Sequence, residues 1–98
     1  MPRMLTVACA SVAGPAESEY LRTVGQLARL SEPRGRRLWL FRSTARPDTF
    51  LECSESRAPQ THRAAAGLPD DEQRLERRLR ELASYAPARS ELWEEVPL

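Results

Sequence analysis

The spacing of apolar and polar positions changes repeatedly along the chain, and prolines and glycines punctuate the changes. Residues 5–12 alternate without a charge, Leu5, Val7 and Cys9 against Thr6, Ala8 and Ala10. A strand with no polar face is covered on both sides, so this run predicts a first strand inside a sheet, ended by Gly14 and Pro15. Residues 16–31 take up helical spacing, with Tyr20, Leu21, Val24, Leu27 and Ala28 on one stripe. Glu17 and Glu19 fall at its start, where the positive end of the helix dipole favours carboxylates. Residues 36–43 carry the apolar core Leu38-Trp39-Leu40-Phe41, residues 45–48 form a turn, and residues 49–55 return as a partner strand, giving a hairpin. Pairing Thr44 with Thr49 would put Leu38, Leu40, Leu51 and Cys53 on one face. Trp39, Phe41, Phe50 and Glu52 would then share the other.

Residues 64–66 suggest a helical turn ending at Gly67. Asp70 is placed to cap a second helix, with Gln73 completing a capping box. Leu75, Leu79, Leu82 and Ala83 make its apolar stripe, and Arg74, Glu76, Arg77, Arg78, Arg80 and Glu81 its solvated faces. Beyond Pro87, residues 91–96 alternate as a last strand. The order is strand, helix, strand, strand, helix, strand, the split pattern of ferredoxin-like α+β domains. It predicts one domain over residues 1–98, with a four-stranded antiparallel sheet and two helices on one face. The other face would stay open, bearing Trp39, Phe41, Phe50 and Trp93. An apolar patch of that kind on a small chain implies a partner, and a second copy packed sheet to sheet is the simplest one, making a symmetric homodimer.

Composition narrows the functional classes. A chain of 98 residues buries only roughly 60–65% of its unfolded surface, so its core is modest. Fifteen basic and fourteen acidic residues leave a formal charge of +1, which argues against nucleic acid as a partner. No apolar run approaches the roughly 20 residues of a membrane span. Every basic residue except His62 is Arg, and Lys, Ile and Asn are absent. Those three share AT-rich codons, which points to a GC-rich bacterial coding sequence and makes the arginines a weak sign of phosphate binding. Without Lys there is no Schiff base and no phosphate-loop Lys. A single His and two isolated cysteines, Cys9 and Cys53, fit neither a metal site nor a redox CxxC. Arg3 followed by residues 4–13 has the outline of a short secretory segment, but its basic region is minimal. It is better used as the first strand, so a cytoplasmic protein with reduced thiols is expected.

Two residues stand out as proton carriers. On the assumed pairing, Glu52 projects among Trp39, Phe41 and Phe50, where lost solvation would raise its pKa and suit it to acid–base work near neutrality. The structural alternative is an ion pair with an Arg such as Arg42. His62 has an ordinary pKa near neutrality, but its polar surroundings equally suit a plain surface residue. Trp39 and Phe41 could stack on a flat ligand or simply fill a dimer core. Tyr20 and Tyr85 lie near helix ends and offer hydroxyls, with nothing further to distinguish them.

Taken with the element order, four stretches carry a resemblance to a known superfamily. They are Leu38-Trp39-Leu40-Phe41-Arg42, Phe50-Leu51-Glu52-Cys53, Thr61-His62-Arg63 and Leu92-Trp93-Glu94-Glu95-Val96. The chain resembles the dimeric α/β-barrel superfamily, which includes antibiotic-biosynthesis monooxygenases, haem-degrading monooxygenases, polyketide cyclases and stress-responsive barrel proteins. The resemblance implies a homodimer holding a hydrophobic or aromatic small molecule and acting, without a cofactor, as a monooxygenase or cyclase. Trp39, Phe41, Phe50 and Trp93 would line the cavity, and Glu52 and His62 would move protons. One departure is that such members commonly use an Asn inside the barrel, and this chain has none. The alternative is a non-enzymatic structural or interaction dimer with a filled barrel. A cavity of about 300 Å³ or more is what a ligand would need.

Overall fold

A computed structural model describes residues 3–56, 68–86 and 91–98. The long elements follow the expected order: β1 (Met4–Ser11), α1 (Glu17–Ser31), β2 (Arg36–Arg42), β3 (Thr49–Ser56), α2 (Asp70–Leu82) and, last, β5 (Glu91–Glu94). A two-residue strand, β4 (Ser84–Tyr85), precedes β5. All pairings are antiparallel, in the order β2-β3-β1-β4, with β5 also on β1. The fold is therefore α+β and ferredoxin-like, with the fourth strand position shared by two short pieces. β4 pairs with Ala10 and Ser11, and β5 with residues 4–7. The uncharged β1 is thus interior to the sheet, as its sequence requires.

Local chemistry sets the ends of these elements. A single 3₁₀ turn, Glu32–Arg34, follows α1 and ends at Gly35 with φ 84°, a left-handed conformation that glycine adopts without a Cβ penalty. Helix α2 begins differently from expectation. Asp70 is its first helical residue, Pro69 holds the capping position, and no side chain caps the helix. Pro69 has no N–H for a capping box to satisfy, so the Gln73 side chain instead donates to the Leu68 carbonyl at 2.7 Å. Asp70, Asp71 and Glu72 supply negative charge to the first turn.

The hairpin departs by one residue from the pairing read in the sequence, and the consequence is large. Arg42 lies opposite Phe50, Phe41 opposite Leu51, Leu40 opposite Glu52 and Trp39 opposite Cys53. The Ser43 amide donates to the Thr49 carbonyl at 2.9 Å. Five residues, 44–48, therefore separate the last bonded pair rather than four. The Ser43 hydroxyl accepts from the amides of Ala45 and Arg46, and Asp48 takes a left-handed φ of 55°, so the turn accommodates the extra residue. A one-residue slip exchanges the faces of a strand. Phe50 and Glu52 thus join Leu38 and Leu40 on the helix-covered face, while Trp39 and Phe41 share the other face with Leu51 and Cys53. The expectation that Trp39, Phe41, Phe50 and Glu52 share one face is overturned.

The core lies between this sheet face and the two helices. It is built from Ala10, Val12, Tyr20, Val24, Leu27, Phe50, Leu79 and Ala83. Ala10 and Ala8 lie opposite Phe50 and Glu52. Their small side chains leave the depth that Phe50 and the ring of Tyr20 fill, with centroids 5.2 Å apart.

Candidate functional site

Glu52 sits at mid-length in β3, between Ala8 on one neighbour and Leu40 on the other. Neither neighbour offers a polar group. Its partners come instead from α1 and β4. The Tyr20 hydroxyl donates to Glu52 Oε2 at 2.6 Å, and the Tyr85 hydroxyl donates to the same oxygen at 2.8 Å. Tyr20 is fully buried, and Tyr85 is brought in by the pairing of β4 with Ala10. Among the described residues, Oε1 receives no hydrogen bond. Burial pushes the Glu52 pKa above the usual carboxylate range, against the two tyrosine hydrogen bonds, which favour the ionised form. Glu76 pushes it further up and Arg36 pulls it down. Burial, then the adjacent Glu52, drives the hydroxyls of Tyr20 and Tyr85 well above their ordinary range. Both remain donors at any physiological pH. Arg42 is not the partner of Glu52; it pairs with Glu17 at 2.6 Å.

Beside Glu52 a polar pocket of about 60 Å³ is walled by Thr6, Arg36, Ser54 and Glu76. That is far below the roughly 300 Å³ of a small-molecule site. Larger space lies on the opposite face of the sheet. There a recess of about 340 Å³ is formed by Arg3, Leu5, Trp39, Glu55 and Trp93, with Trp93 directly opposite Leu5. Phe41 and Trp93 are 55% and 54% exposed, whereas Phe50 is 2% exposed. The structure thus divides the residues singled out in the sequence. Glu52 and Phe50 belong to the interior, and Trp39, Phe41 and Trp93 to the outer face. His62 and residues 64–66 lie outside the described residues.

The sequence left Tyr20 and Tyr85 undistinguished. A signal was present, because Tyr20 falls on the apolar stripe of α1, a buried tyrosine hydroxyl needs an acceptor, and Glu52 is an acceptor inside an otherwise apolar strand. Elsewhere the buried Glu72 takes hydrogen bonds from Ser31 at 2.9 Å and from Arg34 at 2.6 and 3.1 Å, which ties α2 to the turn after α1. Among the described residues, no three of His, Cys, Asp and Glu converge as metal ligands. No helix among them is long and apolar enough to cross a membrane.

The fold is similar to that of solved antibiotic biosynthesis monooxygenase-like proteins. It is similar to SnoaB, a cofactor-independent oxygenase from Streptomyces nogalater, with a TM-score of 0.80 at 16% identity, covering 100% of this chain and 97% of that one. A conserved protein of unknown function from Bacteroides thetaiotaomicron matches with a TM-score of 0.79 at 18% identity, covering 96% and 98%. A provisionally assigned antibiotic biosynthesis monooxygenase from Bordetella bronchiseptica matches with a TM-score of 0.73 at 17% identity, covering 100% and 99%. No protein-family model and no curated protein matches the sequence. At these identities the likeness establishes the fold.

Proposed function

We propose that the chain is a cofactor-independent oxygenase of small hydroxylated aromatic molecules, working as a homodimer. The observation that carries this is Glu52, a half-buried carboxylate with one oxygen held by Tyr20 and Tyr85 and the other without a hydrogen bond among the described residues. A base in that setting takes a phenolic proton near neutral pH, and the resulting electron-rich anion reacts directly with dioxygen. In the overall step the ring loses two hydrogens and gains one oxygen atom as a carbonyl. The second oxygen atom leaves as water with those two hydrogens. A phenol and dioxygen give a quinone and water, with no external reductant. The likeness to SnoaB supports this chemistry. The exposed Trp39 face supports the homodimer, since Phe41, Leu51 and Trp93 would otherwise remain in water. His62 keeps its proposed part as a second proton carrier.

The small size of the pocket at Glu52 favours a second reading, a dimeric scaffold without a reaction. Incubating the full chain in air with a panel of naphthols and anthrones, while following oxygen uptake and ¹⁸O incorporation, separates the two. Uptake with one ¹⁸O atom in the product, abolished by Glu52→Gln in a folded dimer, is the expected result. Absence of uptake and of binding across the panel would leave the scaffold.

A further inference from the structure

The pocket beside Glu52 contains an unexplained donor. Arg36 reaches into it from the helix-covered face of β2, and its Nη2 donates to Glu76 Oε1 of α2 at 3.3 Å. Its Nε–H is buried and meets no acceptor among the described residues. A buried N–H without a partner costs on the order of 1–3 kcal/mol, so native structures satisfy such groups, with ordered water where protein does not. A water needs modest space and two to four polar partners. Here about 60 Å³ is bounded by the Arg36 guanidinium, the Glu52 and Glu76 carboxylates, and the hydroxyls of Thr6 and Ser54, which bond each other. Glu52 itself stands on this wall.

The geometry points to a water-filled passage from Glu52 to Glu76, in which Glu76 delivers the proton of Glu52 to solvent. The proton leaves Glu52 for a pocket water, a proton of that water passes to the Glu76 carboxylate, and Glu76 releases it to bulk. Glu76 suits this role because it is partly exposed at its outer end, with a side-chain exposure of 21%, and is held in place by Arg36. No covalent bond to carbon changes and no charge accumulates in the pocket. Among the described residues, four titratable or charged groups face Glu52: Tyr20 from α1, Arg36 from β2, Glu76 from α2 and Tyr85 from β4. β1 presents only Ala8 and Thr6 there. Of the four, Glu76 alone is a second carboxylate. This inference deepens the role given to Glu52 above, yet it is readable without turnover.

The experiment is isotope-edited infrared spectroscopy of the Glu52 carboxyl in the full chain, at equilibrium and after a pH jump. In Glu76→Gln, the midpoint of Glu52 is expected to fall by about one pH unit as a like charge is lost, and its proton uptake to slow by roughly tenfold or more. Glu76→Asp should restore the rate. Thr6→Val, nearly the same size, should slow uptake while leaving the midpoint close to that of the parent chain. Glu81→Gln, elsewhere on α2, should change neither. A shifted midpoint with an unchanged rate in Glu76→Gln would make Glu76 a fixed charge and refute the passage. A fast Thr6→Val would do the same. A Glu52 that stays ionised throughout the acid-to-neutral range would instead overturn its role as a proton acceptor, a separate failure.

Discussion

Replacing Glu52 by Gln should stabilise the protein, and increasingly so as pH rises. Glu52 pays a burial penalty when ionised, which the hydroxyls of Tyr20 and Tyr85 only partly offset, so its folded pKa lies above the usual carboxylate range. An unfolded Glu titrates near about 4.3. Between these two values the folded chain binds more protons than the unfolded one, so stability falls as pH rises. The loss starts around the unfolded pKa and is complete once pH passes the folded one. Each pH unit of separation is worth about 1.4 kcal/mol. Gln keeps the size, still accepts from both tyrosines, and does not titrate. At about pH 4 the two chains should melt alike. At about pH 8 the variant should gain roughly 1.4 kcal/mol for each unit of the shift, and every kilocalorie corresponds to about 4–8 °C in a domain of this size. Calorimetric melts of both chains from pH 4 to 8, at one protein concentration, measure the difference directly. A flat difference would show that burial does not govern Glu52. A parent chain that gains on the variant with rising pH would show the opposite shift, that of a structural anion, and the base role would fall with it.

The two aromatic faces should respond differently to truncation. Phe50→Ala should cost about 3–5 kcal/mol in urea melts, because the ring is buried against Tyr20. Phe41→Ala should cost less than about 1 kcal/mol at low protein concentration yet lower the dimer fraction in light scattering, and a large loss of monomer stability would contradict the exposed placement. Among the ion pairs, Glu72→Ala should cost roughly 3 kcal/mol, since it breaks a buried carboxylate's bonds to Ser31 and Arg34. Arg78→Ala, whose pairs with Glu19 and Glu81 are exposed, should cost far less, because solvent screens such pairs; equal losses in urea would refute the distinction.

The order of elements was legible because long runs with a clear period leave little choice. The uncharged alternation of residues 5–12 could only be an interior strand, and the stripe Tyr20, Val24, Leu27 only a helix packed on it. What the sequence did not reveal depended on single backbone angles and short contacts. The hairpin register turned on whether four or five residues close the loop, and that followed from the hydroxyl of Ser43 and the left-handed φ of Asp48. Neither has a periodic signature. β4 was missed because two residues cannot show a period; Ala10 pairing, not the local sequence, makes Ser84 and Tyr85 a strand. The candidate site inherited the register error. Glu52 reads from the sequence as a carboxylate in apolar surroundings, but a one-residue slip draws its companions from the wrong face and leaves Tyr20 and Tyr85 unassigned.

The observed register also avoids a conflict that Glu52 would meet on the outer face. In a two-fold symmetric dimer, residues near the axis meet their own copies. A carboxylate among Trp39 and Phe41 would be buried facing a second carboxylate, and two like charges in a dry seam cannot both ionise. The pair would share a proton, and its titration would depend on assembly. With Glu52 on the helix-covered face, its carboxylate stays within its own chain, held by its own Tyr20 and Tyr85. The outer face is then free to be apolar and self-complementary, with Phe41, Leu51 and Trp93 exposed in the single chain. In the proposed dimer the sheet would thus keep apart two features that conflict on a single surface, a titratable carboxylate and an apolar seam that meets its own copy. It follows that the titration of Glu52 should be independent of protein concentration even where the dimer dissociates. A midpoint that moved on dilution would place the carboxylate back at the seam.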